Sequence, residues 1–273
     1  MRLKWIALAL LVAAGLAAWQ AETRAELKQR LLLRALVAQA SPYGQLSYGA
    51  TTAHFWGSGR IENLRFTPSD TLAADWGWAP GEALNIPLLS YRDWQYGPVW
   101  PARAALRFDS LQAPLPEPWP GEASGSLDWS YQVESGALRL KLALDSAGAA
   151  AVDSELALQL TTPQRLRGAV LSSARLSYRD AGFAQGQRAA LGLQRGADPE
   201  NASTTFAAVL KQWCADQGLP LSTSQRLALD AFAREPLALD IQLDPPGALR
   251  PDTLGQFAAA DRGVALGLSL EVP

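Results

Sequence analysis

The most constraining feature of this chain is a repeated alternation of leucine with polar or small residues. Leu138, Leu140, Leu142 and Leu144 alternate with Arg139, Lys141, Ala143 and Asp145, and Leu156, Leu158 and Leu160 alternate with Ala157 and Gln159. Successive side chains on an extended strand point to opposite faces, so this pattern predicts strands with one greasy and one polar face. The rhythm recurs at Ala104/Leu106/Phe108, Leu176/Tyr178, Leu237/Leu239/Ile241/Leu243 and Val264/Leu266/Leu268/Leu270/Val272. Parallel sheets covered on both faces read as continuous apolar runs, so one-sided alternation points to a mainly antiparallel sheet. Ser135-Gly136 is placed for a hairpin, and Ser146–Ala151 is a loop of small residues.

Helical signals flank this strand-rich body. Residues 21–41 carry Glu22, Arg24, Glu26, Lys28, Arg30 and Arg34 among Leu27, Leu31, Leu32, Leu33, Leu36 and Val37, and Ser41-Pro42 stops them. They are expected to form a helical neck. Asp198-Pro199-Glu200 starts a helix over 198–217, with Phe206, Val209, Leu210 and Trp213 on one face. Ser222-Thr223-Ser224-Gln225 has the capping-box spacing for a helix over 222–234. A short helix is expected after Arg250-Pro251-Asp252, and strands over 236–244 and 263–272. The proline-rich stretch 68–120 reads as short strands joined by irregular loops. The expected class is therefore α+β, with a β-rich domain over 42–180 and an α+β continuation over 181–273 that carries a helical insertion. Leu89-Ser90-Tyr91-Arg92-Asp93 recurs letter for letter as Leu176-Ser177-Tyr178-Arg179-Asp180, suggesting two similar strand ends.

The first 20 residues read as a signal anchor. Arg2 and Lys4 precede an apolar run from Trp5 to Trp19 that includes Leu8, Leu10, Leu11 and Leu16. A basic flank followed by an apolar stretch is the pattern of export. The run is short against the roughly 20 residues of a bilayer span. Lys4 can snorkel, and Trp5 and Trp19 suit the two interfaces. The expected outcome is an uncleaved single-pass anchor with the remainder exported; cleavage after Gly15-Leu16-Ala17 is the competing outcome.

Composition narrows the chemistry. With 48% hydrophobic and 18% charged residues the chain has ample material for a core, which excludes global disorder. A formal charge of −2 supplies no basic field for nucleic acid. One cysteine and one histidine among 273 residues exclude a disulfide framework and His/Cys metal clusters. Cys214 is read as a small buried hydrophobe and His54 as a packing or hydrogen-bonding residue. Neither Lys141 nor Lys211 follows a serine at Ser-x-x-Lys spacing, and Gly57-Ser58-Gly59 lacks the third glycine of a phosphate cradle. Asn201-Ala202-Ser203 has the form of a glycosylation sequon. Asp75, Asp93, Asp109 and Asp128, close in sequence to Trp76, Trp78, Trp94 and Trp129, are the residues a glycan hydrolase would draw on. Each also suits a strand end or a turn. No catalytic, cofactor or metal residue is assigned, and the chain is read as non-enzymatic.

Gly57-Ser58-Gly59-Arg60-Ile61-Glu62-Asn63-Leu64-Arg65-Phe66 resembles the glycine-started strand of AsmA-like envelope proteins of Gram-negative bacteria. The run from Leu176 to Leu243, closing on Asp244-Pro245-Pro246, is similar to the C-terminal part of uncharacterised membrane-anchored periplasmic proteins. Secretion-system N subunits share the size, anchor and sheet-rich layout. The resemblance implies an inner-membrane anchor and a long curved sheet whose apolar face meets phospholipid, lipopolysaccharide or a partner protein. A role as accessory subunit of a secretion or pilus apparatus is the alternative. Trp56, Trp76, Trp78, Trp94, Trp100, Trp119 and Trp129, crowded into residues 56–129, are the candidate lipid or partner contacts.

Overall fold

The computed structural model describes residues 2–75, 77–95, 102–114, 122–161, 169–194, 199–216, 218–250, 256–257 and 259–273. The chain divides into two compact units, residues 1–95 with 104–114, and residues 96–103 with 115–273. The stretch 42–180, expected as one β-rich domain, is thus shared between the two. The class is α+β and mainly antiparallel.

The first unit pairs one long helix with a small sheet. Helix α1 spans Arg2–Ala40 and ends where Pro42 forbids its continuation. Strands β1 (Gly44–Ser47), β2 (Thr51–Ala53), β3 (Gly59–Pro68), β4 (Leu84–Gln95) and β5 (Arg103–Gln112) follow, with a short helix α2 (Asp70–Asp75) between β3 and β4. The strand order is β1-β3-β4-β5, and β2 also pairs with β3. The expectation of short strands over 68–120 is corrected here: β4 has 12 residues and β5 has 10. Pro87 inside β4 is tolerated because it falls at a gap in the register between the Glu62–Leu88 and Leu64–Ile86 pairs. Asn63, opposite it, takes a φ of 50°.

One face of α1 settles the packing of this unit. Ala25, Gln29 and Leu33 recur every fourth residue and are all buried. Gln29 Nε2 donates to the carbonyls of Thr52 at 3.2 Å and Arg60 at 3.4 Å. Residues 21–40 are helical, as expected, and lie along β1 and β2. Leu27, Leu31 and Leu36 face out. The side chains of residues 1–19, including Trp5, Leu8, Leu10, Leu11, Leu16 and Trp19, lie outside the described residues. Among the described residues no helix is long and apolar enough to cross a membrane.

The second unit is a sheet in the order β6-β7-β8-β9-β10-β11, antiparallel at each pairing whose register is described. Its strands are β6 (Glu122–Gln132), β7 (Ala137–Ser146), β8 (Ala150–Gln159), β9 (Val170–Asp180), β10 (Ala238–Leu243) and β11 (Leu268–Glu271). Between the neighbours β9 and β10 the chain inserts α3 (Phe183–Gln194), α4 (Pro199–Asp216) and α5 (Thr223–Arg234). α5 begins with the expected capping box: Ser222 Oγ accepts from Gln225 N, and Gln225 Oε1 accepts from Ser222 N. Helix α3 gives a weak signal in the sequence because Gly186, Gly192 and three glutamines dilute its apolar periodicity. The strand expected over 263–272 is corrected. Ala259–Leu266 forms helix α6, and only Leu268–Glu271 is strand. The switch is made at Gly267, whose φ is 57° and whose missing Cβ leaves room for the carbonyl of Asp244.

Candidate functional site

The register of the second unit sorts its side chains into rows across the strands. On one face Asp128, Lys141, Glu155, Arg175 and Gln242 stand side by side on β6 to β10. Lys141 Nζ lies 3.3 Å from Glu155, and Arg175 reaches Asp240 at 3.7 Å. A shallow cleft of about 390 Å³ lies over this face, lined by Ser126, Asp128, Lys141, Asp153, Glu155 and Arg175. Opposite charges alternate from strand to strand, so the row neutralises itself. Such exposed pairs are worth at most about 1 kcal/mol each.

The other face is made of leucine. One row runs Leu127–Leu142–Ser154–Leu176–Ile241–Leu270. Its neighbour on one side contains Tyr178 and Leu239, against which Ala184, Phe206, Ala207, Phe232 and Ala233 of α3, α4 and α5 pack. Its neighbour on the other side contains Leu156, Ala174, Leu243 and Leu268, packed against Leu249 and Leu266. In the central row Leu127, Leu142 and Ile241 are half-buried, as the flanking residues are, and Leu176 is 36% exposed. It is a strip of mainly aliphatic side chains running between α3 to α5 on one side and Leu249 with Leu266 on the other.

At the margin of that strip, Tyr178 donates its hydroxyl to Asp180 Oδ1 at 2.6 Å. Burial, and then the Asp180 carboxylate, push the Tyr178 pKa above the ordinary tyrosine range. Asp180 also accepts from the backbone N–H groups of Gly182, Ala184 and Gln185, capping the start of α3. Burial raises the Cys214 thiol, which keeps it in the less reactive protonated form.

The candidate tryptophans do not gather on one surface. Trp129 sits half-buried beside Tyr131 and Leu138 on the leucine face of the second unit. In the first unit Trp94 stacks edge-on against the buried Tyr91, with ring centroids 5.3 Å apart. Trp78 is half-buried beyond α2. Trp56 is 59% exposed in the turn between β2 and β3. There His54 stacks on it at 4.5 Å with planes 6° apart, and Phe55 meets it edge-on at 5.0 Å. His54 also lies 3.4 Å from Glu22 of α1, so the packing role expected for it is what the turn displays. Trp76, Trp100 and Trp119 lie outside the described residues.

Two of the carboxylates considered for hydrolysis face a basic residue. Asp109 pairs with Arg107 at 3.6 Å, Asp128 faces Lys141 across the β6–β7 register, and Asp93 occupies a left-handed backbone position with φ of 56°. The Asp75 side chain lies outside the described residues. Among the described residues no three His, Cys, Asp or Glu side chains gather to hold a metal. Two features had no signal in the sequence: Gln29, which reads as one more polar helix position, and the apex residue Phe55.

Comparison with known proteins finds a family described as "Uncharacterized protein", which matches residues 131–270, just over half of the chain. No curated protein matches it.

Proposed function

The chain belongs to this family of uncharacterized proteins, whose matched residues run through the leucine-faced sheet of the second unit and its helices, and from that premise we propose a lipid-binding role for that face. In this reading the protein is a non-enzymatic component of the bacterial cell envelope, held to the inner membrane by residues 5–19, with an AsmA-like sheet in the periplasm. The leucine row Leu127–Leu142–Leu176–Ile241 takes an acyl chain of phospholipid or lipopolysaccharide.

The observation that carries the reading is the exposure of Leu176 in that row. Fully burying a leucine contributes about 1.5–3 kcal/mol, so leaving Leu176 at 36% exposure forgoes stability that a closed core would have. Aliphatic side chains with little aromatic or charged content suit a hydrocarbon tail, which offers dispersion and no hydrogen bonds. The polar face is an unsuitable alternative, because its charges are matched within the sheet.

The test is to purify the full chain in mild detergent and extract what remains bound. Phospholipid or lipopolysaccharide recovered near one equivalent, and lost in Leu176→Glu with an unchanged circular dichroism spectrum, is the expected result. Lipid-free protein would refute the reading. Stoichiometric recovery of a secretion-apparatus protein lost in the same variant would replace lipid with a protein partner.

A further inference from the structure

The turn between β2 and β3 leaves two large aromatic side chains mostly in solvent. His54, Phe55, Trp56 and Gly57 form it: Gly57 N donates to the His54 carbonyl at 3.0 Å, and His54 N donates to the Ser58 carbonyl at 2.8 Å. Gly57 takes a φ of 84°, and a Cβ there would lie 2.8 Å from the Trp94 carbonyl oxygen, so the turn is pinned to β4. Phe55 and Trp56 are its two central residues. They project outward at 54% and 59% exposure, in contact with each other.

The direction in which they project follows from two contacts with α1. In the C-terminal half of the helix Gln29 bonds the carbonyl of Thr52, and seven residues nearer the N-terminus Glu22 meets His54. From Thr52 to His54, about 7 Å of extended backbone, the hairpin thus advances along α1 toward the N-terminal end. The apolar run ends at Trp19, three residues before Glu22, or about 4.5 Å further along the same continuous helix. The aromatic apex therefore lies within about one helical turn of the level at which the apolar segment begins.

We propose that Phe55 and Trp56 form a second membrane contact, seated in the headgroup region of the bilayer that residues 5–19 enter. The proposal rests on the anchor reading given above. Tryptophan suits that layer because its ring is apolar and its N–H polar, and phenylalanine reaches the acyl boundary beside it. A helix alone leaves the protein free to tilt and swivel about one point. A second contact offset from its axis, held to it through Glu22–His54 and Gln29–Thr52, fixes the orientation of the first unit against the surface.

The experiment uses the full chain reconstituted in vesicles of phosphatidylethanolamine and phosphatidylglycerol. In a Cys214→Ser background, Phe55→Cys is labelled with bimane and challenged with lipid carrying a nitroxide near the headgroup. Tyr43→Cys, at a 62% exposed position just past the C-terminal end of α1 in the same unit, serves as the comparison. About twofold quenching is expected at position 55 beyond that at 43, as for a group in the interfacial layer. Alkaline carbonate extraction of the same vesicles reports the anchor separately. Protein retained by the membrane with no excess quenching at 55 overturns the proposed contact and leaves the anchor standing. Protein released with no quenching overturns both. Trp56→Cys gives the same readout from the adjoining position and guards against a local effect of Phe55→Cys on the turn.

Discussion

Leu89–Asp93 in the first unit and Leu176–Asp180 in the second are the same five residues in two different settings. Both segments are strand, in β4 and β9. In the first, Leu89 and Tyr91 are buried, Tyr91 packs on Trp94, and Asp93 turns into the left-handed region with φ of 56°. In the second, Leu176 is 36% exposed, Tyr178 is half-buried against Phe232, and Asp180 caps a helix while accepting the tyrosine hydroxyl. Identical local preferences thus produce a closed core at one place and the rim of an open apolar strip at the other. What differs is the covering element, so the role of each residue follows from its distant neighbours.

Substitutions at matched positions sharpen or break this contrast. The largest effect is expected for Tyr91→Ala, about 3–5 kcal/mol in urea unfolding, because a buried ring leaves a cavity among packed neighbours. A loss of similar size from Tyr178→Phe would dissolve the distinction. Asp180→Gly is expected to cost about 1.5–3 kcal/mol, because it removes the carboxylate that accepts from Tyr178 and from three backbone N–H groups at the start of α3, seen as a lower midpoint with unchanged m-value.

Tyr178→Phe keeps the contact with Phe232 and removes one hydrogen bond, at a cost of about 1 kcal/mol near neutral pH. It also changes the alkaline behaviour. Tyr178 holds its proton beyond the ordinary tyrosine value of 10.0. Above that pH the folded state binds more protons than the unfolded one, so the stabilisation from Tyr178 falls as pH rises. Melting curves followed upward from about pH 10 should show a shallower decline in Tyr178→Phe than in the parent. The smallest effect, and the one of opposite sign, belongs to Asp93→Gly. Relief of the left-handed backbone outweighs the added freedom of the unfolded chain, for a gain under about 1 kcal/mol. Opposite signs for aspartate-to-glycine changes at 93 and 180, measured in the same denaturant series, are what the two settings require.

Much of the strand pattern was legible because alternation is a local property. Leu138 to Leu144 and Leu237 to Leu243 alternate over spans that extended backbone displays directly, and β7 and β10 lie there. The capping box at Ser222 was legible for the same reason, since its partners are three residues apart. Val264 to Val272 misled because leucine and valine at every second position look alike in a strand and in a short helix followed by one. The left-handed Gly267 separates the two. The aromatic candidates were legible as a composition but not as a surface. Trp94 and Trp129 lie on strands and pack inward while Trp56 projects from a turn, a difference of placement and not of residue type.

The residues in order were enough to establish the two-faced strands, the apolar N-terminal run and the scarcity of groups for metal or nucleophilic chemistry. Each follows from periodicity or from counting, which require no partner. The cover of each face was settled only when the chain folded back on itself. Gln29 meets Thr52, and Phe232 meets Tyr178, across 23 and 54 residues of chain. Burial is a property of such meetings: hydrophobic free energy depends on which surfaces leave water together, and no stretch of sequence read alone contains its own partner.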